Sequence, residues 1–470
     1  MPIRFFNTRS RAVETFTPID PPGATVSLYT CGPTVYAHAH IGNFRAYTFE
    51  DLLQRHLEWR GYVVRRVMNL TDVDDKTIRG CRAEGIPLAQ FTARFKTAFF
   101  EDLEAMRIRP AEAYPAATDP ENIGQMIAMI ARLLESGHAY QADDRSVYFR
   151  LSAFPDYGKL AHLDLAELRP GGRVRSDEYE KESIGDFALW KAWDEEDGEV
   201  AWESPWGRGR PGWHIECSAM ATRLLGDEID IHCGGVDNIF PHHEAEIAQS
   251  ECCTGKRFVR YWLHCAHLLA EGQKMSKSLG NFFTLRDLLA RGFTGRELRY
   301  ALLSVHYRLP LNFRIVSLEG ARSALGRIDE WLARLTDHAG TAPAEPHPAA
   351  GSDAFGEALD DDLNISAALA VLFDAIRDSH RALDAQTLTA GQARSLLDWW
   401  AGIDTVLALS PEVGGIPAAV QALADERAAA RAAKNWAESD RLRDAVRGMG
   451  WEIKDTRGGP AKLSPVKGAA

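Results

Sequence analysis

Residues 25–70 read "TVSLYTCGPTVYAHAHIGNFRAYTFEDLLQRHLEWRGYVVRRVMNL", and this stretch decides the fold class. It begins and ends with short β-branched and aromatic runs, residues 25–31 and 62–70, that are typical of strands. Between these runs, apolar residues recur at helical spacing at Ala46, Phe49, Leu52, Leu53 and Leu57. A strand–helix–strand crossover of this length predicts parallel strands in a doubly wound, Rossmann-like α/β sheet.

The remaining sequence predicts that this sheet domain is interrupted and then followed by helices. We expect residues 1–114 and 211–310 to form the two halves of the sheet domain, with residues 115–210 inserted between them. An all-α helical bundle is predicted for residues 311–409, containing a Pro/Ala/Gly-rich loop. A small C-terminal domain is predicted for residues 417–470.

Composition favours a soluble protein of the cytoplasm. The 470 residues are 45% hydrophobic, enough for several packed cores. No apolar run approaches the roughly 20 residues that span a bilayer, and the N-terminal residues lack the apolar core of a secretory signal. Seven scattered cysteines, an odd number, indicate reduced thiols or metal ligands more than a disulfide framework.

Charge is unevenly distributed along the chain. Residues 417–470 contain ten Lys or Arg against seven Asp or Glu, a local charge of +3. Because the whole chain has a formal net charge of −12, the residues before 417 carry −15. A mildly basic tail on an acidic body is a hint of contact with a polyanion.

Residues 241–246 read "PHHEAE" and contain a candidate metal-binding pair. His242 and Glu246 are four positions apart and so share one helical face, whereas His243 and Glu244 are expected to point elsewhere. Alone, this pair is weak evidence for a metal site, because most such pairs lie on the solvated surface of a helix. Cys31 ends the first predicted strand, and Cys217 follows a Gly-rich turn in "GWHIECSAM".

Ligands of open α/β sheets gather at the carboxyl ends of the strands, where Cys31 is expected. Two thiolates, an imidazole and a carboxylate would make a tetrahedral zinc set. The alternative for each cysteine is a small buried hydrophobe, the more common fate of this residue. We assign that fate to the others, Cys81, Cys233, Cys252, Cys253 and Cys265.

Two further segments suggest nucleotide binding. After Cys31, "GPTVYAHAHIGN" places His40, Gly42 and Asn43 at or near a helix N-terminus, which favours phosphate. The alternative is a histidine-rich loop that only caps the helix. Downstream, "KMSKS" places Lys274 and Lys277 in a Gly-flanked loop that could neutralise a departing pyrophosphate, unless it is simply a solvated basic loop.

"HIGN" and "KMSKS" together resemble the paired signatures of class I aminoacyl-tRNA synthetases. Within that class, "YTCGPTVYAHAHIGN", "NLTDVDDK", "GRPGWHIECSAM", "FPHHEAEIAQS" and "KMSKSLGNFF" resemble the cysteinyl-tRNA synthetase family. The resemblance covers residues 6–457, nearly the whole chain, and five motifs in the right order make it very specific.

The resemblance implies one zinc ion in the amino-acid pocket, held by Cys31, Cys217, His242 and Glu246. It also implies that Lys277 binds ATP, that residues 33–43 form the first signature, and that the final helices contact the tRNA anticodon region. Asn43 departs from the class pattern, since it replaces the last histidine of "HIGH". The implied activity uses Mg-ATP to join L-cysteine to tRNA(Cys), and we expect a monomer.

Three more residues are candidates for substrate contacts. Asp237 follows the Gly234–Gly235 turn and is a candidate for the ATP ribose, or else a capping residue. Thr71 and Trp213 are candidates for the amino-acid pocket, with core packing as the alternative for Trp213.

Two other functions compete with this interpretation. One is the related ligase that passes activated cysteine to an amino sugar; it lacks a counterpart of the basic helical tail. The other is a zinc-stabilised RNA-binding protein in which all four metal ligands are structural. The second alternative leaves "HIGN" and "KMSKS" unexplained.

Overall fold

The computed structural model describes residues 2–20, 22–163, 169–170, 183–275, 280–411, 418–449, 451–455 and 461–465. The chain divides into two compact units, and each is described by itself. The first comprises residues 1–288 and 293–409, and the second comprises residues 289–292 and 410–470. Within the described residues, none of the helices combines the length and apolar character that crossing a membrane requires.

The strands of the first unit are β1 (Arg4–Asn7), β2 (Ala12–Thr15), β3 (Thr25–Thr30), β4 (Val63–Met68), β5 (Ala139–Gln141), β6 (Val147–Phe149), β7 (Arg169–Pro170), β8 (Ser183–Ile184), β9 (Ala188–Ala192), β10 (Gly209–Pro211), β11 (Ile229–Gly235), β12 (Val259–Cys265), β13 (Leu268–Ala270), β14 (Gln273–Lys274) and β15 (Leu311–Phe313). Its helices are α1 (Ile41–Trp59), α2 (Asp75–Glu84), α3 (Leu88–Ala105), α4 (Pro120–Glu135), α5 (Trp213–Leu225), α6 (Glu244–Thr254), α7 (Leu285–Leu289, whose last residue falls in the second unit), α8 (Gly295–Leu303), α9 (Ile315–Ala339), α10 (Ala354–Asp360), α11 (Ile365–Asp384) and α12 (Ala390–Leu407). The first unit also contains a 3₁₀ turn at Leu151–Ala153 and a kinked turn at Ile239–His243 that is non-helical at Phe240.

A parallel four-stranded sheet in the order β12–β11–β3–β4 forms the centre of the first unit. The strand–helix–strand crossover predicted from residues 25–70 is confirmed, since β3 and β4 pair in parallel around α1. The helix begins at Ile41, five residues before the first residue of the apolar repeat, and His40 caps it.

Both faces of the sheet are covered, as the doubly wound interpretation requires. On one face, Leu28 and Leu263 join a core with Phe49 of α1 and Trp331 of the helical bundle. On the other face, Trp262 joins a core with residues of α4, α5 and the inserted sheet. The carboxyl ends of the strands remain the open edge.

An antiparallel sheet in the order β10–β9–β6–β5 lies within the predicted insertion, residues 115–210, apart from its last residue, Pro211. Its strand β10 leads through Gly212 into α5, and a Cβ at that glycine would lie 2.1 Å from the carbonyl oxygen of Ala188. Only glycine therefore fits this close approach, which fixes where α5 leaves the insertion.

After β15 the first unit is helical, and the loop predicted at residues 339–353 separates α9 from α10. The second unit contains α13 (Ala418–Ala432), α14 (Trp436–Gly448) and an antiparallel hairpin of β16 (Trp451–Lys454) and β17 (Lys462–Pro465). The sequence predicted its helices but not the hairpin, and the β1–β2 hairpin at the N-terminus was also missed.

Candidate active site

Four side chains from distant segments meet at the carboxyl edge of the parallel sheet. One ligand atom from each lies within 4.8 Å of the others. We call these residues the recognition set: Cys31, Cys217, His242 and Glu246. Cys31 is held beside β11 because its backbone N–H donates to the carbonyl of Cys233 over 3.3 Å.

Glu246 and His242 face each other in a way that suits a cation. Glu246 Oε1 is buried and accepts no hydrogen bond from the described residues, although it lies 3.0 Å from His242 Nε2. The other nitrogen of His242, Nδ1, shares a hydrogen bond of 3.0 Å with His214 Nδ1. Burial lowers the pKa of His242 to about 3, so its imidazole is neutral. A neutral imidazole and a carboxylate directed at one point are the donors of a zinc site.

The two thiols of the recognition set resist ionisation as long as no cation is near. A hydrogen bond with Cys31 and then burial raise the pKa of Cys217 well above its ordinary value. For Cys31 the hydrogen bond with Cys217 lowers the pKa, but burial and the Glu246 carboxylate outweigh it, and the net pKa is raised. A divalent ion would reverse this balance, because thiolates are its preferred ligands.

His243 is not directed away from the site, and this sequence-based expectation is wrong. Its Nε2 lies 3.3 Å from Cys31 Sγ and 3.9 Å from Glu246 Oε1. The physical reason is that residues 239–243 do not continue α6: the backbone is non-helical at Phe240 (φ −135°, ψ 133°) and α6 begins only at Glu244, so regular helical spacing does not set the faces of the two histidines. Glu244 does point elsewhere, where its carboxylate accepts from the N–H groups of Gly158 and Ala161.

His214 and His232 also belong to this site, and the sequence interpretation overlooked both. His232 Nε2 shares a hydrogen bond of 2.9 Å with Glu246 Oε2. A signal was available for His232, since it lies near the carboxyl end of β11, at the same edge as Cys31. Because His214 lies inside a helix, its sequence position gave no comparable signal.

A cavity of about 390 Å³ connects Cys31 with the predicted nucleotide residues. Its walls include His40, Gly42, Asn43, Asp237 and Lys274. Five residues predicted for ATP from three separate segments thus line one cavity that reaches a thiol of the recognition set.

The signature residues cap α1 instead of leaving its N–H groups open. His40 Nδ1 accepts from the N–H groups of Gly42 and Asn43 over 3.1 and 3.3 Å. Asn43 Oδ1 accepts from the N–H of His40 over 3.1 Å, so the two side chains form a reciprocal capping box. Burial lowers the pKa of His40, which keeps the ring neutral. The capping alternative is therefore correct for these atoms, while both residues still line the cavity.

The basic loop lies close to this helix N-terminus. Lys274 is exposed at the end of β14, and the methyl group of Met275 lies 2.8 Å from where a Cβ on Gly42 would be. Phe282 packs edge-on to His40 with ring centroids 5.2 Å apart. Lys277 lies outside the described residues, so its assignment stays a prediction.

Asp237 is exposed, and its carboxylate accepts no hydrogen bond from the part of the chain that the structure describes. The kinked turn Ile239–His243 begins after Asn238, without a side-chain cap. A capping role for Asp237 is thus not seen, and its carboxylate lines the cavity.

Thr71 and Trp213 do not line this cavity. Thr71 is buried and its hydroxyl donates to Glu216 Oε2 over 3.0 Å. Trp213 stacks on the His242 ring at 4.3 Å with 22° between the planes. Trp213 therefore contacts a member of the recognition set, which places it beside the candidate amino-acid pocket.

The cysteines assigned to packing behave as such where the structure describes them. None of the seven forms a disulfide, and Cys81, Cys233 and Cys265 are buried. Cys252 and Cys253 are half-buried on α6.

Three family models match successive parts of the chain. The model described as "tRNA synthetases class I (C) catalytic domain" matches residues 18–323. The "DALR domain" matches residues 354–404, and the "Cysteinyl-tRNA ligase anticodon binding domain" matches residues 413–459. Together these matches cover the sheet domain, the helical bundle and the C-terminal unit.

Curated relatives match over nearly the full length. Cysteine–tRNA ligase of Chlamydia caviae is 52% identical over 464 residues, which covers 97% of this chain and 96% of the relative. Cysteine–tRNA ligase of Protochlamydia amoebophila is 49% identical over 465 residues, which covers 97% and 96%.

Solved structures share the fold at low identity. Methionyl-tRNA synthetase of Mycobacterium tuberculosis, in complex with methionyl-adenylate, has a TM-score of 0.59 at 17% identity, covering 82% of this chain and 89% of that one. LeuRS of Agrobacterium radiobacter, in a ternary complex, has a TM-score of 0.60 at 13% identity, covering 84% and 85%.

Proposed function

The chain belongs to the cysteine–tRNA ligase family of class I aminoacyl-tRNA synthetases, and from this premise we propose how its residues carry out the reaction. The enzyme activates L-cysteine with ATP and transfers it to tRNA(Cys). The carboxylate oxygen of cysteine attacks the α-phosphorus of ATP, and the bond to the bridging oxygen breaks, releasing pyrophosphate. The terminal ribose hydroxyl of the tRNA then displaces AMP from the adenylate.

The observation that carries this proposal is the single cavity that joins Cys31 to the nucleotide residues. It brings the amino acid's side-chain pocket next to the site of phosphate chemistry. Because the reaction needs both substrates in contact, neither a structural metal site nor an isolated ATP site explains this arrangement.

We assign the recognition set to one Zn²⁺ ion. Its donors fit zinc: two thiols, a neutral imidazole, and a carboxylate oxygen that has no other hydrogen-bond partner among the described residues. Zinc held by these four residues would supply a Lewis acid that prefers the substrate's sulfur as thiolate, whereas the neutral hydroxyl of serine is a far poorer ligand. A purely apolar pocket would separate such isosteres only about a hundredfold.

His214 and Trp213 orient the imidazole of this set. His214 occupies His242 Nδ1, and Trp213 stacks on the ring, so Nε2 is directed toward Glu246. Outer contacts of this kind fix the tautomer and orientation of a metal-binding histidine. We therefore assign Trp213 to the amino-acid pocket. Thr71 contributes to this region indirectly, by donating a hydrogen bond to Glu216.

The capping box gives the signature residues a defined role toward ATP. Since His40 Nδ1 accepts two N–H groups, the proton of the neutral ring is on Nε2, which is then a donor for a phosphate oxygen. Since Asn43 Oδ1 is also occupied, its Nδ2 amide group is the remaining donor. Asparagine therefore supplies the donor that histidine supplies in the class pattern, and Gly42 lets the phosphates approach.

Charge on the phosphates is balanced by cations from the basic loop. Lys274, which lines the cavity, and Lys277 stabilise the leaving pyrophosphate together with Mg²⁺. Asp237 accepts from the ATP ribose hydroxyls.

The remaining assignments follow the family. Residues 1–114 and 211–310 form the catalytic domain, 115–210 the inserted domain, and 311–409 the bundle. Residues 417–470 contact the anticodon region, and the match of residues 413–459 to an anticodon-binding model supports tRNA over an amino sugar as acceptor. We propose a monomer that acts in the cytoplasm.

The test is cysteine-dependent ATP–pyrophosphate exchange with a Cys217→Ser variant. Loss of one thiolate from the recognition set is expected to reduce kcat/KM for cysteine at least a hundredfold while the KM for ATP stays within threefold. Cys252→Ser, which replaces a half-buried cysteine outside the site, is the matched control and should behave as the wild type. Equal losses for cysteine and ATP would refute the recognition role.

A further inference from the structure

Behind the recognition set lies a second group of possible metal ligands. One ligand atom from each of its residues lies within 4.8 Å of the others. We call these residues the second set: Cys31, His232, His243 and Glu246. It shares Cys31 and Glu246 with the recognition set. In place of the Cys217 thiol and the His242 imidazole, it has the imidazoles of His232 and His243.

The spacing within the second set approaches that of a tetrahedral site. With metal–sulfur and metal–nitrogen bonds of about 2.3 and 2.0 Å, neighbouring ligand atoms lie roughly 3.3–3.8 Å apart. Cys31 Sγ lies 3.3 Å from His243 Nε2, which in turn lies 3.9 Å from Glu246 Oε1. His232 Nε2 lies 2.9 Å from the other carboxylate oxygen of Glu246, Oε2, so the two imidazoles approach different oxygens of one carboxylate.

Outer hydrogen bonds prepare both imidazoles for a metal. His243 Nδ1 contacts His264 Nε2 at 2.8 Å, and His264 Nδ1 contacts the Thr8 hydroxyl at 2.7 Å. When His243 Nδ1 donates to His264 Nε2, and His264 Nδ1 donates to the Thr8 hydroxyl, the lone pair of His243 Nε2 faces Cys31. His232 Nδ1 lies 3.2 Å from the carbonyl of Cys233, so it can hold the ring proton and release Nε2.

Close packing holds the imidazole rings of His232 and His243 in position. A Cβ on Gly234 would lie 2.8 Å from His243 Cε1, so glycine is required where the imidazole passes the backbone. Trp262 stacks on His232 with ring centroids 4.6 Å apart and 23° between the planes. Both imidazoles and Glu246 are fully buried.

We propose that the second set is an overlapping position for a divalent zinc-class ion, able to hold it when the recognition set is incomplete. Because Cys31 and Glu246 serve both positions, one chain holds one ion at a time. Softer sulfur donors favour the recognition set for Zn²⁺, and the nitrogen-rich second set suits Zn²⁺, Co²⁺ or Fe²⁺. An ion in the second set leaves Cys217 and His242 without metal, so it does not support cysteine recognition. The inference rests on the proposed metal site.

The experiment measures metal bound by the purified full-length enzyme after loading with Co²⁺ and removal of free ion. A Cys217→Ala/His242→Gln variant retains only the shared residues of the recognition set. We expect it to keep about one equivalent of Co²⁺, with the sulfur-to-cobalt charge-transfer absorbance about half that of the wild type, since one thiolate replaces two. Adding His243→Gln should then abolish binding.

A Cys31→Ser variant, which damages both sets, is the control for loss of all specific binding. A double variant that folds, by circular dichroism, but binds no cobalt would overturn the proposal, and so would binding that survives His243→Gln. If the double variant does not fold, Cys217→Ala is compared with Cys217→Ala/His243→Gln: loss of cobalt only when His243 is also replaced supports the second set, and equal retention by both variants overturns the proposal. Wild-type enzyme without metal would instead contradict the proposed function, so the two failures are distinguishable.

Discussion

Glu246 divides its two carboxylate oxygens between different partners, and this division leaves one oxygen available for the proposed metal ion. Oε2 is fixed by His232 at 2.9 Å, while Oε1 lies opposite His242 Nε2 at 3.0 Å without a hydrogen bond. A buried carboxylate oxygen left in this state is costly unless a cation is bound. A cation bound in the proposed site would remove this cost.

At the same scale, Lys274 is expected to act only on the phosphate chemistry. A Lys274→Ala change should lower kcat of cysteine-dependent exchange by about 10²-fold, because a charge aimed at the leaving group is lost, with an unchanged KM for cysteine. Steady-state exchange kinetics measure both values. Lys256→Ala, an exposed lysine paired with Asp227, is the control and should have no effect. A raised KM for cysteine without loss of kcat would contradict the assignment.

At the scale of elements, the N-terminus of α1 couples the signature to the basic loop. His40 and Asn43 cap the helix, and Met275 of the loop packs at Gly42. The two class signatures are therefore in contact before any substrate is considered.

A Gly42→Ala change tests this coupling. The added methyl group would lie 2.8 Å from Met275 Cε and 2.9 Å from the His40 ring, so the ring must leave its cap. We expect the exchange rate to fall at least tenfold, and the unfolding free energy by about 1 kcal/mol for the lost cap. Gly124→Ala in α4, where the methyl meets open space, is the control. Wild-type kinetics for Gly42→Ala would show that the cap does not matter.

Elements in which apolar residues repeat at a regular spacing were predictable from the sequence. Elements whose structure depends on pairing with a neighbouring strand were not. The β3–α1–β4 unit follows from alternation and helical spacing, which short-range sterics impose. The β1–β2 and β16–β17 hairpins have only four residues per strand, too few for a period to stand out.

The candidate site was predictable for the same kind of reason, with one informative failure. Cys31 was found because parallel strands bring their carboxyl ends to one edge. His243 was misplaced because regular helical geometry was assumed through residues 241–246, whereas the helix begins only at Glu244. Because the chain is kinked at Phe240, helical spacing could not show that both adjacent histidines lie near the thiols.

On the scale of the whole molecule, activation and tRNA binding are assigned to different units. An Arg443→Gln/Arg447→Gln variant removes two exposed charges from α14 of the second unit. We expect the KM for tRNA to rise several-fold relative to the wild type at low salt, and this ratio to shrink as salt increases, because the variant makes fewer phosphate contacts for salt to weaken, while cysteine-dependent exchange stays within twofold. Aminoacylation and exchange assays on the same preparation measure both. A parallel loss of exchange would contradict this division.

Sulfur recognition by the metal is the claim on which the whole account depends, and X-ray absorption at the zinc edge tests it most directly. Spectra of the zinc-loaded enzyme are compared without amino acid, with L-cysteine and with L-serine. We predict one additional sulfur neighbour at about 2.3 Å with cysteine and none with serine. A sulfur shell that does not change when cysteine binds would contradict the account.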